Sequence, residues 1–505
     1  MHYSITTLGC KVNQYESGAL AATLRAAGLQ PAPGGHRADL VVVNTCCITR
    51  TAMRKSRQAI RRAVRTSPGA AVLVVGCYSD YDATHIKRLL ASVSVAPPRA
   101  VIAGHHSDVA ACVEEITYAL PGANTDSNTQ PHGRPIVQAG AFGNDVNVKA
   151  DHPPCDSAPG TPSIRTRRKV AVKSGAPGTD NLAPVDHFEN RQRAFVKVQD
   201  GCDAFCAYCV VPYTRPRVRS RSRQDVLAEC RRIVARGHKE VVLCGVYLGA
   251  YGRRTAIRRR FEAGPAPLAA LLREVAAIDG LWRVRLSSIE PNDVTDELLE
   301  VFGEMPTVAP HFHLPLQSGS DRILRRMNRQ YAADEFRLTI DRLKNSLPDP
   351  AVTGDVIVGF PGESERDFAA TLDVCQHAGF AKIHAFPFSP MEGTAAFTYR
   401  HEAPPARVVK ERMERLAWTE RELARAYRRR FVGTTMEALV EAPRGGADGM
   451  RRAMTDRYLS VRFHCDAPDL TGRVVQLGIE SVGEDGLLGR FVESARGARL
   501  QSPSP

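Results

Sequence analysis

Short apolar runs separated by polar, helix-forming stretches recur through the first 118 residues. HYSITTLGC, DLVVVNTC, AVLVVGC and RAVIAG read as strands, with helices predicted near 14–27, over the basic stretch after Cys46, and near 82–92. Apolar strands alternating with helices predict a parallel, doubly wound sheet. From about 121 to 190 the periodicity fails, and Pro, Gly, Asn, Ser and Thr dominate, as in PGANTDSNTQPHGRP. That composition predicts a linker or disordered insertion. Alternation resumes at 194: FVKVQDG, EVVLCGV, VRLSSIE, HFHLPLQS, VTGDVIVGF and KIHAFPF are six strand candidates with helical patterns between them. Six βα units predict an incomplete (β/α)6 barrel, whose active site belongs at the carboxyl ends of the strands. A charged helical stretch then leads into MEALVEA, YLSVRFH, GRVVQLGIESV and LLGRFVE, short strands between Gly and Asp turns. These suit a small antiparallel β-barrel, a fold that often binds RNA and is often merely structural. The predicted α/β organisation is a sheet domain over 1–118, a linker over 119–190, the barrel over 191–431, the small barrel over 432–496 and a tail over 497–505.

Composition narrows the class. At 505 residues the chain exceeds one typical core. A hydrophobic fraction of 43% with 6% aromatics is ordinary for a soluble protein. No apolar run reaches the roughly 18 residues that would span a membrane. MHYSITTLGC lacks the pattern of a secretory signal, so a cytoplasmic location is expected. Thirteen cysteines in such a chain argue for reduced thiolates that hold metals rather than a disulfide framework. Cys112, Cys155, Cys230, Cys244, Cys375 and Cys465 are scattered and read as structural.

The net charge of +14 favours a polyanionic partner. In RTAMRKSRQAIRRAVR there is no acidic residue, and Arg50, Arg54, Arg57, Arg61 and Arg65 share one helical face. Such a face contacts phosphates or is simply solvated, and the absence of mixed signs favours phosphates. A second strip, RPRVRSRSR, sets Arg215, Arg217, Arg219, Arg221 and Arg223 at alternate positions, on one side if the segment is extended.

Candidate chemistry centres on cysteine. Cys202, Cys206 and Cys209 are spaced CxxxCxxC in a loop after the first barrel strand. Three thiolates can hold three corners of a [4Fe-4S] cube, leaving the fourth iron open to a substrate. The alternative is zinc, which needs a fourth ligand such as His187 or His238, at neither usual zinc spacing. Cys10, Cys46 and Cys77 each end one of the first three strand runs, where ligands gather in open α/β sheets. Cysteines distant in sequence can thereby meet at one edge as a second metal site, although a buried cysteine is usually structural.

The CxxxCxxC loop resembles that of the radical S-adenosylmethionine (SAM) enzymes. Together with TLGCKVNQYES, VVNTCCIT, VVGCYS, HLPLQSGSDRILRRMNR and DVIVGFPGES, it is similar to the radical-SAM methylthiotransferase family over nearly the whole chain outside the linker. The resemblance implies a SAM-cleaving [4Fe-4S] cluster on Cys202, Cys206 and Cys209 and an auxiliary [4Fe-4S] cluster on Cys10, Cys46 and Cys77. Cys47 departs from the family pattern, so a swap between Cys46 and Cys47 stays open. TLGCKVNQYES, SSIEP and the basic stretch look most like the branch that methylthiolates threonylcarbamoyladenosine beside the tRNA anticodon, and the small barrel looks like the family's RNA-binding TRAM domain. A tRNA, an electron-donor protein and a sulfur source are the implied partners, with no membrane. Carbon 2 of adenine has no acidic proton and no leaving group, which suits radical chemistry and leaves acid-base or nucleophilic catalysis little to act on.

Other residues follow from the same resemblance and from strand-end position. Tyr208 resembles the aromatic that packs on the SAM adenine, or packs as any half-buried tyrosine. Gly359, Pro361, Gly362 and Glu363 resemble the SAM-facing turn, or form a tight turn alone. Glu290, Gln317 and Ser318 end barrel strands and could contact SAM or the base. Asn13 and Asn44 flank cluster cysteines and could equally cap helices. Rival readings are methylthiolation of isopentenyladenosine in tRNA or of a ribosomal-protein aspartate, and an RNA-binding iron-sulfur regulator without turnover. The sequence is silent on oligomeric state.

Overall fold

A computed structural model describes residues 1–33, 36–93, 100–105, 107–118, 182–185, 188, 191–261, 264, 266–443, 449–465 and 470–492. Most of the expected linker, with Cys155 and His187, and the 497–505 tail lie outside the described residues. The chain divides into two compact units, Met1–Ala183 with Tyr213–Arg215, and Pro184–Pro212 with Pro216–Pro505. Among the described residues no helix is long and apolar enough to cross a membrane.

In the first unit, β1 (His2–Thr7), β2 (Gln30–Pro31), β3 (Leu40–Thr45), β4 (Ala71–Gly76) and β5 (Ala100–Ala103) form one parallel sheet in the order β2-β1-β3-β4-β5. The strands β3 and β4 are buried at every position, as their unbroken LVVV and AVLVV runs require of central parallel strands. Strand β2 is too short to carry a pattern, and its Pro31 is tolerated because the strand lies at the sheet edge. Each cysteine-bearing turn leads directly into a helix: Cys10 caps Lys11–Ala26, Thr49 caps Arg50–Thr66, and Cys77 opens the short helix Cys77–Tyr81. The first helix thus begins three residues before the expected start, close behind Cys10.

In the second unit the six expected strands are present. After β6 (Arg193–Lys197) and the short antiparallel pair β7 (Gln199–Asp200) and β8 (Arg219–Ser220) come β9 (Glu240–Cys244), β10 (Arg283–Leu286), β11 (His311–His313), β12 (Ala351–Val358) and β13 (Lys382–Pro387). They form two parallel sheets, β10-β9-β6 and β11-β12-β13, joined by the parallel bridges Val284–Val308 and Ser288–His313. The result is an open six-stranded barrel in chain order, with helices between strands.

At the amino ends of these strands Glu240 is fully buried between Arg283 (2.5 Å) and Arg285 (3.1 Å). Burial alone would raise this carboxyl, but Arg285, Arg283 and Arg193 outweigh it and hold it below the usual range. The same arginines donate to the carbonyls of Met454, Thr455 and Asp456.

Those carbonyls belong to the small barrel and its first turn. It comprises β14 (Thr435–Val440), β15 (Arg451–Thr455), β16 (Ser460–His464), β17 (Val474–Val482) and β18 (Leu487–Val492), closed in the order β14-β15-β16-β18-β17. Sequence reading missed β15, whose RRAMT lacks clean alternation. Closure also uses one parallel pair, β16 with β18, among antiparallel ones. Tyr427 and Phe431, from the end of the helix Ala406–Arg429 and just past it, share an apolar core with Met436, Val461, Phe463 and Leu477, so the small barrel is packed into the second unit.

Candidate active site and iron-sulfur ligands

The loop that follows β7 carries Cys202, Cys206 and Cys209 at the carboxyl end of the barrel. Its shape is set by backbone rather than by its apolar content. Gly201 and Phe205 take positive φ (77° and 50°), Cys209 N–H donates to Cys206 O at 2.9 Å, and the Ala204 and Val211 N–H groups point at the Cys202 and Cys209 sulfurs at 3.4 Å. From RRMNR, Asn328 donates to the carbonyls of Ala204 (3.2 Å) and Phe205 (3.0 Å), and Met327 O accepts from Ala207 N–H at 2.8 Å. Burial pushes the Cys202 thiol well above its usual range, a state that coordination to a cation reverses.

Arg329, one residue beyond that clamp, was not singled out from sequence. It is buried, donates to Cys206 Sγ at 3.3 Å, pairs with Glu290, and reaches the Tyr208 hydroxyl at 3.5 Å. Glu290 is therefore engaged with Arg329. Tyr208 is half-buried, edge-on to Phe360 at 6.4 Å. Arg329 Nε and the Ser287 hydroxyl, at the end of β10, are buried without a hydrogen-bond partner among the described residues. Three thiols, a guanidinium on one of them and orphaned polar atoms nearby fit a cluster with a polar co-ligand. They do not fit zinc through His238, which precedes β9 at the opposite strand end and accepts from Phe188 N–H at 3.2 Å.

The strand-end residues are engaged within the protein. Ser318 is fully buried, with its hydroxyl engaged by Ser320 N–H (3.2 Å) and Thr371 (3.4 Å), so it supports the following turn. The reason is Gln317, whose left-handed φ of 58° turns the chain away after one residue. Glu363 is also buried: it accepts from Gly359 N–H (2.9 Å) and pairs with Arg412 (2.8 Å). Gly359, Pro361 and Gly362 form a tight turn, closed by Glu363 N–H to Phe360 O at 2.9 Å. Gly359 has φ +77°, and a Cβ there would lie 2.6 Å from Val409. Helix packing accounts for that glycine.

In the first unit the ends of β1, β3 and β4 bring Cys10, Cys46, Cys47 and Cys77 together, close enough to perturb one another's ionisation. Asn13 and Asn44 make this possible, and neither caps a helix. Asn13 is buried and donates to Leu8 O (2.9 Å), Thr45 O (3.0 Å) and Asn44 Oδ1 (3.2 Å), while Asn44 donates to Asn13 O (3.0 Å). Two cysteine turns are thereby tied into one. Gly76 completes the edge: its φ is +94°, and a Cβ would sit 2.4 Å from Asn44 Oδ1.

Charge at this edge is balanced by residues from elsewhere in the chain. Arg215 forms a two-pronged ion pair with Glu16 at 2.9 Å for both contacts, both side chains 3% exposed. Its positive charge also lowers the cost of thiolates at Cys10, Cys46 and Cys77. A hydrogen bond from Cys47, then Arg215 and a contact from His105 Nε2 (3.5 Å), hold the Cys77 thiol well below its usual range. Burial pushes Cys46 up to about 12. Asp80 accepts from His105 N–H at 2.9 Å, and burial raises this carboxyl to about 6. None of the described cysteines is joined in a disulfide.

The basic residues divide. On Arg50–Thr66, Ser56, Ile60 and Ala63 face inward, and Arg50, Arg54, Arg61 and Arg65 are exposed. Arg54, Arg61 and Arg65 have no ion-pair partner among the described residues. Arg57 is half-buried and donates to the Tyr78 hydroxyl at 3.3 Å. The alternating strip does not form one exposed row. Arg215 is buried, Arg217 is exposed, Arg219 is half-buried in β8, and Arg221 pairs with the buried Glu229. In the small barrel Arg451, Arg452 and Arg462 line a groove of about 550 Å³, which no sequence motif announced.

A three-thiol loop at the carboxyl end of a six-stranded parallel barrel defines a radical SAM enzyme, and the pattern of the radical SAM superfamily matches residues 196–375. Uncharacterized protein family UPF0004 matches residues 2–96. Threonylcarbamoyladenosine tRNA methylthiotransferase of Bacillus subtilis is 31% identical over 489 residues, 96% of this chain and 95% of that one. The same-named protein of Chlamydia pneumoniae is 31% identical over 97% of this chain and 98% of its own. tRNA-2-methylthio-N(6)-dimethylallyladenosine synthase of Sphingopyxis alaskensis is 34% identical over 96% of each. The chain belongs to the radical-SAM methylthiotransferase family.

Proposed function

We propose that this enzyme transfers a methylthio group to carbon 2 of N6-threonylcarbamoyladenosine beside the tRNA anticodon. It would do so with SAM and two [4Fe-4S] clusters, one on Cys202, Cys206 and Cys209 and an auxiliary one on Cys10, Cys46 and Cys77. The observation that carries the two-cluster reading is that each thiol group has its own buried arginine, Arg329 at Cys206 and Arg215 at the sheet edge. A lone structural cysteine needs no such counter-charge, whereas thiolate ligands do.

Bound SAM and its cluster supply a carbon radical, the species able to take hydrogen from the non-acidic carbon 2 of adenine. The chain's own contribution is positional. Asn328 and Met327 fix the loop that presents the thiolates, Arg329 neutralises Cys206, and Glu290 orients Arg329. At the sheet edge Asn13 and Asn44 fix the spacing of the thiols, and Arg215 offsets their charge. The exposed Arg54, Arg61 and Arg65 and the arginine-lined groove of the small barrel supply phosphate contacts. An external electron donor and a sulfur source complete the reaction, and a tRNA substrate implies action in the cytoplasm.

Branch choice rests on TLGCKVNQYES and SSIEP and on the two threonylcarbamoyladenosine enzymes among the relatives. The dimethylallyladenosine synthases are as similar in identity, which makes isopentenyladenosine the specific second reading. Mass analysis of tRNA nucleosides from cells lacking and regaining the protein separates them. Loss and return of 2-methylthio-threonylcarbamoyladenosine supports the first, and loss of the isopentenyl derivative alone replaces it with the second.

A further inference from the structure

Strands β11, β12 and β13 gather three metal-ligating side chains, none of them a cysteine, on one face. In the parallel register His313 stands beside Thr353 and Asp355 beside His384, and strand alternation puts all four on the same side. One donor atom from each of His313, Asp355 and His384 lies within 4.8 Å of the other two. The imidazole rings of His313 and His384 are 5.7 Å apart, and His313 Nε2 is 3.2 Å from Asp355 Oδ2.

Hydrogen bonding says what occupies that last gap. The Thr353 hydroxyl lies 3.4 Å from Phe312 O, 3.0 Å from His313 Nδ1 and 3.0 Å from His311 Nε2. In one arrangement the hydroxyl proton goes to Phe312 O, and Thr353 accepts N–H from His313 Nδ1. The neutral His313 ring then presents its Nε2 lone pair to a carboxylate oxygen. That arrangement leaves two acceptors 3.2 Å apart, which a cation between them satisfies; with the ring proton on Nε2 instead, His313 donates to Asp355. A proton satisfies only that pair. The third converging donor, His384, is what a cation uses.

We propose that His313, Asp355 and His384 bind a divalent first-row transition-metal cation. Two imidazoles and one carboxylate suit zinc, iron(II) or manganese(II), and the exposure of His384 leaves coordination positions open to water or an oxygen ligand. Thr353 supplies the outer-shell hydrogen bond that fixes a ligating imidazole in the correct tautomer and orientation. The site has no sulfur ligand, shares no residue with either cysteine group, and goes beyond the methylthiolation reading.

The test uses holoenzyme with oxidised clusters, stripped of loosely bound metal and titrated with Mn2+, which avoids thiolates. Oxidised [4Fe-4S] clusters are silent in electron paramagnetic resonance, so loss of the free Mn2+ signal counts bound ions. One ion per chain is expected, with nitrogen couplings from two imidazoles, and binding should weaken at least about tenfold in D355N and in H384Q. His384 is exposed, so H384Q leaves the core intact, and an unchanged circular dichroism spectrum checks this. No binding at millimolar Mn2+, or binding that survives both substitutions, overturns the assignment and leaves His313 hydrogen-bonded to Asp355.

Discussion

In the barrel, three thiols come from one eight-residue loop shaped by its own backbone and by clamps such as Asn328 and Met327. At the sheet edge, the thiols come from the ends of three strands and are held by Asn13, Asn44 and the glycine turn at Gly76. The thiols of the barrel loop are neighbours in sequence, and the loop is braced by the 327–328, 255–256 and 396 segments. The edge needs the whole sheet to be in register. A local site tolerates damage elsewhere in its fold, while a site built by topology stands or falls with the core of its unit.

The largest effect should come from removing each set of thiols in turn. Replacing Cys202, Cys206 and Cys209 with Ala should abolish reductive SAM cleavage and leave about half the iron of a two-cube protein. Replacing Cys10, Cys46 and Cys77 should also leave about half the iron, with deoxyadenosine still formed but no methylthiolated nucleoside. Iron assay and product analysis of both variants check this, and complete iron loss in either would mean that the two sets are not separate sites. C46A and C47A then sharpen the comparison. Cys46 lies against the Cys10 turn, where a Cβ on Gly9 would be 3.1 Å from the Cys46 Cβ, and Cys47 is buried against Cys77. C46A should lose the edge iron and C47A should keep it.

The ion pairs come next. Arg215 and Glu16 are each 3% exposed, so R215A strands a buried carboxylate and should cost about 3–5 kcal/mol in urea unfolding of the first unit. The Glu290 side chain is 18% exposed, so R329A strands a carboxylate that water can reach and should cost less. Equal costs would erase the distinction between an edge that depends on its unit and a loop that does not. Acid adds a control in the second unit. Glu240 has a lowered folded-state pKa, so its contribution is present above the ordinary glutamate value of about 4.3 and is lost as pH falls through the lower folded value. Urea midpoints that stay flat in that window would remove Glu240 from the account.

Legibility in the sequence follows the same division. CxxxCxxC was readable because its cysteines are neighbours, and six strand runs located it at the end of a barrel. The sheet-edge cysteines were readable because β3 and β4 are unbroken apolar runs that end at cysteine-bearing turns. What no local pattern carried was the direction and partner of individual polar groups. Ser318 and Glu363 stand at strand ends yet point into the core, for reasons found in the φ of Gln317 and in Arg412. Arg329 was missed, and Arg215 was read only as part of a basic strip, because their partners lie 39 and 199 residues away, beyond any local pattern. MNR, one loop past the QSGS turn, is the segment that could have drawn attention to Arg329.

A smaller effect tests what Arg329 does for the loop. A cation at 3.3 Å from a ligating sulfur stabilises the reduced, more negative cluster, so R329Q should shift its reduction potential to more negative values with iron content unchanged. Redox titration followed by electron paramagnetic resonance measures it. An unchanged potential would reduce Arg329 to a partner for Glu290.

The smallest effect separates exposed from engaged arginines. Arg54, Arg61 and Arg65 project from the helix that follows the Cys46 turn, while Arg221 is held by the buried Glu229. Each phosphate contact contributes about 0.7 to 0.9 to the slope of log affinity against log salt. Neutralising Arg61 together with Arg65 should therefore flatten the slope for tRNA by up to about 1.8, and R57Q should do less because Arg57 already donates to Tyr78. R221Q should leave the slope unchanged, since a guanidinium paired with a buried carboxylate releases no counterions on binding RNA. A slope that responds to R221Q and ignores Arg61 and Arg65 would move the RNA path from the sheet unit to the β8 strip, and would reverse the roles given to the two basic segments.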